Sequence, residues 1–290
     1  RKASEQGGAE AACQLATLLG AGAWMPRDWE AALDHLKLAA ERGSPRAQGQ
    51  LILLSADRRL AHELKAGLKV ADGWARLRAS IDIGMWMTPP ERRAICEQPR
   101  VRAVDAFVPA EVCEWLVDRS RGKFVPAMLF DGVSAHFHAD RTNSDFAFDI
   151  VEADVLLALL RERISNLTKI PTPAMEPPQI FHYDVGEEIK AHFDFLRDGE
   201  KAYGGGYQGE RIATFLLYLN DDYEGGELEF PHIGLRHRGR TGDAVFFANV
   251  DNDMKPERLS LHAAKPVTRG EKFIFSQWIH DRPFTATHQG

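Results

Sequence analysis

The change in sequence texture at Gln179 constrains the fold more than any other feature. From this residue onward, short runs rich in aromatic and β-branched residues are broken by Gly, Asp and Asn. Runs of this kind are typical of short strands joined by turns, and a series of them is typical of a sandwich or barrel. The sequence therefore predicts an all-β unit in the C-terminal part of the chain.

The first sixty residues contain an internal repeat instead. A shift of about 36 residues aligns Gly7 with Gly43 and Leu15 with Leu51, together with several Ala, Glu and Gln matches. Such a period is typical of stacked helix–turn–helix units. The stretch resembles the Sel-like relatives of the tetratricopeptide repeat, and Asp28–Ala40 carries their second-helix pattern. Chance similarity between Ala-rich helices is the alternative, because only one and a half repeats are present.

Prolines place the predicted domain boundary. Residues 56–97 continue the helical pattern, which stops at Pro89 and again before Pro99, since proline cannot continue a helix. We therefore predict a helical repeat region with linker helices over 1–97 and a second domain over 98–290. The fold class is α+β, and the elements predicted before the β-rich part are a strand at Val101–Phe107 and helices at Pro109–Ser120 and Asp154–Leu167.

Composition excludes several classes of protein. Hydrophobic residues make up 44% and charged residues 27%, as in an ordinary folded domain. The net charge of −6 gives no basic surface for nucleic acid. No apolar run approaches the roughly 18 residues of a membrane span. We expect neither a nucleic-acid nor a membrane partner.

Cysteine usage predicts a reducing compartment. Cys13, Cys96 and Cys113 are few, odd in number and without CxxC spacing, so they form neither a disulfide framework nor a cysteine zinc site. This favours a cytoplasmic location. Because the sequence begins without Met and within a helical pattern, we expect that it has been trimmed at the N-terminus.

A His-x-Asp pair is the first candidate metal site. His192 and Asp194 lie two apart in a predicted strand, so their side chains share a face. His262 lies between two strand-like runs near the end of the β-rich part, from which a rolled sheet could bring it back to the pair. Two histidines and one carboxylate leave part of the coordination sphere open, which suits ferrous iron that also binds a co-substrate and dioxygen.

Lys272 points to a second part of the same site. It shares a predicted strand face with Ile274, Ser276 and Trp278. A lysine inside an apolar sheet is costly unless an anion meets it. A dicarboxylate that chelates iron at one end and reaches Lys272 at the other would supply that anion.

Residues 98–283 resemble the prolyl 4-hydroxylase branch of the iron- and 2-oxoglutarate-dependent dioxygenases. The ordered segments that carry the resemblance are Tyr183–Asp194 (YDVGEEIKAHFD), Arg211–Pro231 (RIATFLLYLNDDYEGGELEFP) and Gly242–Ile279, which includes SLHAAKPVTRGEKF and ends in QWI. The resemblance implies a double-stranded β-helix, or jelly-roll. It also implies Fe(II), with 2-oxoglutarate and O2 as co-substrates, and leaves room for ascorbate.

Individual roles follow from the same resemblance. His192, Asp194 and His262 correspond to iron ligands, and Lys272 corresponds to the anchor for the distal carboxylate of 2-oxoglutarate. The other matched positions are Tyr183 and Thr214, which help to hold that carboxylate, and Trp278, which forms part of the strand wall beside it.

Plainer interpretations stand beside these roles. Tyr183 and Thr214 are ordinary strand residues by propensity, and Trp278 can serve core packing. Gly225, Gly226 and Pro231 are typical of turns and strand ends. Two polar clusters each have two interpretations. A second His-x-Asp set can be a polar loop or another metal site, and it comprises His136, His138 and Asp140. A basic run can be a solvated hairpin or a rim for an acidic substrate, and it comprises Arg236, His237, Arg238 and Arg240.

Two positions depart from the resemblance. Ile189 stands three residues before His192, where peptide-binding members commonly have Tyr, and Leu228 replaces a common Thr. The first change makes a wall of the substrate pocket apolar. Oxygenase chemistry is therefore predicted more firmly than proline as the target.

The preferred function is hydroxylation of a prolyl or nearby residue in a protein or peptide. Asp198–Glu210 holds five glycines and two tyrosines, which favours a loop that closes over a ligand. The helical repeats offer a surface for a protein partner. The alternatives are hydroxylation of a free amino acid or other small molecule, a catalytically silent binding scaffold, and a zinc hydrolase, which would leave Lys272 unexplained.

Overall fold

The chain divides into two compact units in a computed structural model that describes residues 8–130, 135–136, 139–196 and 209–283. One unit comprises Arg1–Pro89 with Asp149–Lys169, and the other comprises Pro90–Phe148 with Ile170–Gly290. The helices of the described residues are α1 (Ala9–Ala21), α2 (Trp29–Glu41), α3 (Pro45–Leu54), α4 (Arg58–Lys65), α5 (Gly73–Ala79), α6 (Ile83–Met87), α7 (Ala110–Ser120) and α8 (Val155–Thr168).

The helical unit is built from α1 to α6 and α8. Side-chain caps start several of these helices: Asp28 accepts a hydrogen bond from the Ala31 amide, and Asp154 accepts one from the Leu157 amide. Gly22 ends α1 in the left-handed conformation, at φ 67°, which glycine adopts without strain. None of the helices in the described ranges combines the length and apolar character that a bilayer-spanning segment requires.

Helix α8 packs in the helical unit, although the sequence placed it in the second domain. Its apolar face is buried, and the Gln50 side chain accepts a hydrogen bond from the Leu156 amide. On its other turns, Arg163 donates to the Trp86 carbonyl and Asn166 to the Met87 carbonyl. The sequence-based boundary between residues 97 and 98 therefore differs from the contact pattern at this helix, because long-range packing partners cannot be read from a local pattern.

The second unit is mainly antiparallel β-structure. Its strands are β1 (Arg93–Cys96), β2 (Val101–Val104), β3 (Val125–Pro126), β4 (Leu129–Phe130), β5 (Ala135–His136), β6 (Ser144–Ala147), β7 (Gln179–Tyr183), β8 (Ile189–His192), β9 (Arg211–Tyr218), β10 (Glu224–Gly225), β11 (Leu228–Phe230), β12 (Leu235–His237), β13 (Ala244–Ala248), β14 (His262–Ala264), β15 (Val267–Arg269) and β16 (Lys272–His280). The strand predicted at Val101–Phe107 ends early, because the chain turns at Ala106, where φ is 47°.

Two sheets position the site. The large sheet has eight strands in the order β1-β2-β13-β9-β16-β7-β6-β3, and the small sheet has four in the order β12-β11-β14-β8. Both contribute side chains to one buried apolar cluster: Phe181, Phe247 and Ile274 from the large sheet, and Ile189 and Phe230 from the small one. The mixed fold with antiparallel sheets agrees with the predicted α+β class.

Candidate active site

Three potential metal ligands come together on the small sheet. His192 of β8 pairs directly with His262 of β14, and Asp194 follows β8 two residues later. The Nε2 atoms of His192 and His262 each lie 3.5 Å from a carboxylate oxygen of Asp194. The ligand atoms of all three lie within 4.8 Å of one another, so one metal ion could bind all three.

Backbone carbonyls fix the orientation of both imidazoles. His192 Nδ1 lies 2.8 Å from the Lys190 carbonyl oxygen, and His262 Nδ1 lies 2.9 Å from that of Ser260. A carbonyl can only accept a hydrogen bond, so in each neutral ring Nδ1 carries the proton. Both Nε2 atoms then present lone pairs to the same space, as metal-binding histidines do.

Asp194 is held by a buried chain of hydrogen bonds. Thr214 of β9 donates its hydroxyl to Asp194 Oδ2 at 2.6 Å, and Asn249 Nδ2 donates to Thr214 Oγ1 at 3.0 Å. Burial alone would raise the pKa of Asp194. The attraction of His262 and His192 for the carboxylate, with the hydrogen bond from Thr214, instead holds this pKa well below its usual range, so the group remains a carboxylate.

His262 sits in an apolar environment. Its ring contacts Phe247 in an edge-on arrangement, with ring centroids 4.7 Å apart, and lies 5.9 Å from Phe230. Burial lowers the pKa of His262 to about 4, despite the attraction of Asp194. The imidazole is therefore neutral near pH 7, which is the form that binds a metal.

Lys272 is buried on the interior face of the large sheet. Its Nζ donates to the Gly226 carbonyl at 2.7 Å and lies 4.5 Å from the ring centroid of Tyr183, its partner across β16 and β7. Burial lowers the pKa of Lys272 to about 7, against the attraction of Glu227. No carboxylate of the described residues lies within ion-pairing distance of Nζ. An anionic ligand would supply the missing charge.

Two hydroxyl groups to which the sequence analysis gave no role lie on the same interior face. Tyr218 pairs with Ile274 across β9 and β16, and Ser276 lies two residues beyond Ile274. Tyr218 Oη and Ser276 Oγ are both buried, and neither has a hydrogen-bond partner in the described ranges. Since buried polar groups are normally satisfied, these hydroxyls are available to bind a polar ligand on this face. Alternation placed Ser276 on the face of Lys272, but Tyr218 could not be placed there without the pairing of β9 with β16.

Trp278 forms part of the wall beside Thr214. The two residues pair across β16 and β9, and Trp278 packs against the apolar cluster between the sheets. Arg211 covers the indole, with Cζ 4.0 Å from the ring centroid. Two Arg211 nitrogens bind the Glu176 carboxylate at 2.5 and 3.0 Å, and His280 Nε2 approaches Glu176 Oε1 at 2.6 Å. This network was also missed, because its members are far apart in sequence.

Among the described residues, neither the second His-x-Asp set nor the basic run contributes a ligand to the triad cluster. The second His-x-Asp set is only partly described: His138 lies outside the described residues, and Asp140 accepts a hydrogen bond from Lys190 at 2.8 Å. In the basic run, Arg236 pairs with Glu229 at 2.7 Å, and Arg238 donates to the Tyr223 carbonyl.

The predicted turn at Gly225 and Gly226 lies beside Lys272. Gly225 and Gly226 both have positive φ, and a Cβ at Gly226 would lie 3.0 Å from Lys272 Cδ, so a side chain here would press on the lysine. Most of the predicted lid, residues 198–208, lies outside the described residues. At its base, the Leu196 amide donates to Glu210 at 2.5 Å.

The chain is similar in sequence to known oxygenases. A model of the 2OG-Fe(II) oxygenase superfamily matches residues 178–280. Among curated proteins, probable prolyl 4-hydroxylase 9 of Arabidopsis thaliana is 31% identical over 204 residues, covering 64% of this chain and 70% of that protein. Prolyl 4-hydroxylase 13 of the same plant is 28% identical, covering 71% and 80% respectively. A viral collagen prolyl hydroxylase from Paramecium bursaria Chlorella virus-1, solved with 2-oxoglutarate, is 25% identical at a TM-score of 0.49, covering 64% of this chain and 98% of that one.

The site defines a class of metal-dependent oxygenase. The chain belongs to the prolyl 4-hydroxylase-like family of 2OG-Fe(II) oxygenases. It is a 2-oxoglutarate-dependent dioxygenase, and its cofactor is Fe(II), with 2-oxoglutarate and O2 as co-substrates. The residues present fit this cofactor, because two imidazoles and one carboxylate converge. The other sheet carries a buried lysine that has no carboxylate partner in the described residues, and two buried hydroxyls that have no partner there.

Proposed function

We propose that this protein hydroxylates prolyl or nearby residues of a protein or peptide, with iron held by His192, Asp194 and His262. The observation that carries the proposal is the convergence of this triad from the small sheet with Lys272 on the inner face of the large sheet. The relatives named prolyl 4-hydroxylases support the class of substrate.

Lys272 would bind the distal carboxylate of 2-oxoglutarate. Its ammonium group is buried, points into the interior and has no carboxylate partner in the described part of the chain. The Tyr183 ring contacts the Lys272 ammonium group on one side. Thr214 would act mainly through Asp194, because its hydroxyl donates a hydrogen bond to that carboxylate. Trp278 would close the pocket wall beside Thr214. Ferrous iron, when bound, would supply oxidative decarboxylation of 2-oxoglutarate coupled to C–H hydroxylation.

The protein's own contribution is binding, orientation and exclusion of water. Lys190 and Ser260 hold the imidazoles through backbone carbonyls, Thr214 and Asn249 hold the carboxylate, and the surrounding apolar cluster keeps the interior dry. A rigid, dry site of this kind limits the loss of reactive species to water.

The first test is spectroscopic and the second is chemical. Anaerobic addition of Fe(II) and then 2-oxoglutarate should produce a visible charge-transfer band. With O2 and a proline-containing peptide library, one oxygen should be gained per succinate formed, as measured by mass spectrometry. Oxygen gain confined to free amino acids would replace the peptide proposal with small-molecule hydroxylation. Absence of turnover with every substrate would support a binding scaffold.

We propose a double-stranded β-helix for the β-rich unit. With β10, β12 and β15 set aside, successive strands alternate between the sheets: β7, β9, β13 and β16 belong to the large sheet, whereas β8, β11 and β14 belong to the small one. This alternation along the chain supports a jelly-roll. A crystal structure that lacked this alternation would contradict it.

The helical unit would contain Sel-like repeats that bind a protein partner. The helix pairs of α1 with α2 and α3 with α4 support this proposal. Trp24, which is 83% exposed, is a probe of that surface. Trp24→Ala should weaken binding of a long polypeptide in a pull-down while turnover of a short peptide is unchanged.

A cytoplasmic location is proposed from the cysteines. Cys13, Cys96 and Cys113 are all free, and burial raises the pKa of Cys113 to about 12, so this thiol resists oxidation. Thermal stability that is the same with and without reductant would support the proposal. A drop in stability on reduction would contradict it.

A further inference from the structure

A second group of potential ligands lies on the outer face of the large sheet. His182 of β7 alternates with Phe181 and Tyr183, which point inward, so its side chain points to the opposite face. Its Nε2 lies 3.8 Å from Asp184 Oδ1 and 3.7 Å from Glu271 Oε1. The ligand atoms of His182, Asp184 and Glu271 lie within 4.8 Å of one another.

The surroundings of His182 orient its ring toward the two carboxylates. The ring stacks on Phe273, with centroids 4.7 Å apart, and contacts Phe124 at 5.1 Å. Its Nδ1 lies 3.2 Å from the Ser144 hydroxyl. The Ser144 hydroxyl can accept a proton from Nδ1, and in that tautomer Nε2 presents a lone pair to the carboxylates. Nε2 is buried and has no hydrogen-bond partner in the described ranges.

A lone pair that faces two carboxylates is unfavourable unless a cation lies between them. We propose that His182, Asp184 and Glu271 bind a divalent transition metal of the zinc type, at a site distinct from the iron triad. One imidazole and two carboxylates suit such an ion, with water completing the coordination. The nitrogen–oxygen distances of 3.7 and 3.8 Å are close to the 3.5 Å of the triad.

The position of the site gives it a mechanical consequence. Asp184 follows Tyr183, Glu271 precedes Lys272, and Tyr183 pairs with Lys272 across β7 and β16. A bound ion would therefore join the paired ends of these strands. Because the ion binds only the folded site, it should raise the melting temperature of the protein.

Zn²⁺ titration calorimetry tests the proposal in a protein without the triad. The variant His192→Ala/Asp194→Ala should still bind one Zn²⁺ per chain. Adding His182→Gln should abolish this binding, whereas adding Glu188→Gln or His232→Gln should leave it unchanged, since neither residue belongs to the cluster. If the double variant binds no Zn²⁺, or if His182→Gln leaves binding intact, the proposal is wrong.

Two further measurements keep the test decisive if the double variant does not fold. The unmodified protein should bind two Zn²⁺ per chain and His182→Gln one, with circular dichroism confirming that both are folded. A stoichiometry of one in the unmodified protein would overturn the proposal. Ser144→Ala should weaken binding at the second site about tenfold, as loss of a partner behind a ligand does. An unchanged Zn²⁺ affinity in this variant would show that Ser144 does not orient His182.

Discussion

Two clusters in the same unit combine imidazoles with carboxylates, but their surroundings differ. In the triad, Asp194 is buried and accepts a hydrogen bond from Thr214, which is itself held by Asn249. In the outer cluster, the carboxylates of Asp184 and Glu271 are 63% and 52% exposed. Within the described residues, no hydrogen bond reaches either of these two side chains. The triad is therefore preorganised, whereas the outer cluster must order its ligands when an ion arrives.

The difference shows that the types of metal-ligand residue alone do not define a catalytic site. Preorganisation and a buried anchoring charge, Lys272, distinguish the triad. An ion at the outer cluster would contact bulk water and would not adjoin the pocket. We expect mutations in the triad to reduce Fe(II) binding and turnover much more than mutations in the cluster of His182, Asp184 and Glu271.

The largest effect should come from the triad itself. His192→Ala or Asp194→Ala removes a ligand that no neighbour can replace, so stoichiometric Fe(II) binding and turnover should be lost. Anaerobic Fe(II) titration and succinate formation measure both. Asp184→Asn is the matched control and should keep both properties.

The second His-x-Asp set provides an independent comparison. His138→Ala should leave Fe(II) binding intact, because the segment that carries the family resemblance contains His192 and Asp194, which also cluster with His262. Loss of iron in the His138 variant would show that the wrong pair was chosen.

Lys272→Ala should have the next largest effect. It removes a charge-assisted contact worth about 1.5–3 kcal/mol, which corresponds to about 10–150-fold weaker 2-oxoglutarate binding. Fe(II) binding should be retained. Lys190→Ala is the control, because this lysine is half-exposed and pairs with Asp140. An equal loss of 2-oxoglutarate affinity in both variants would mean that Lys272 is not in the pocket.

Thr214→Val should weaken Fe(II) binding about tenfold, because Asp194 loses its hydrogen-bond donor while every ligand remains. The change conserves shape, so Lys272 should still bind 2-oxoglutarate. Thr268→Val, at an exposed strand position, is the matched control. If 2-oxoglutarate binding fell and Fe(II) binding did not, Thr214 would contact the co-substrate directly, as the family resemblance implies.

The sequence predicted those parts of the site whose signal is local. Strand alternation places Lys272 and Trp278 on one face of β16, as in the structure. It also predicts that His192 and Asp194 meet, which they do, although β8 ends at His192 and Asp194 lies just beyond the strand. The direct pairing of His192 with His262 depends on register between strands about 70 residues apart, which no local pattern specifies. The family resemblance supplied that link.

Interactions between distant polar residues could not be predicted. Glu176 meets Arg211 and His280 only after three separate strands or loops have come together. Helix α8 shows the same limit at the level of the fold, because its amphipathic pattern specifies a buried face but not the unit that buries it.

The smallest expected effect is a pH dependence of 2-oxoglutarate binding. Burial lowers the pKa of Lys272 to about 7, so the amine is largely neutral at pH 8 in the absence of ligand. A dicarboxylate favours the charged ammonium, so binding at pH 8 should take up about 0.9 proton, and affinity should fall about fivefold from pH 7 to pH 8. Calorimetry in two buffers of different ionisation enthalpy measures the uptake. Lys272→Arg should bind without proton uptake at this pH, because a guanidinium stays charged. Equal proton uptake in this variant and in the unmodified protein would assign the titration to another group.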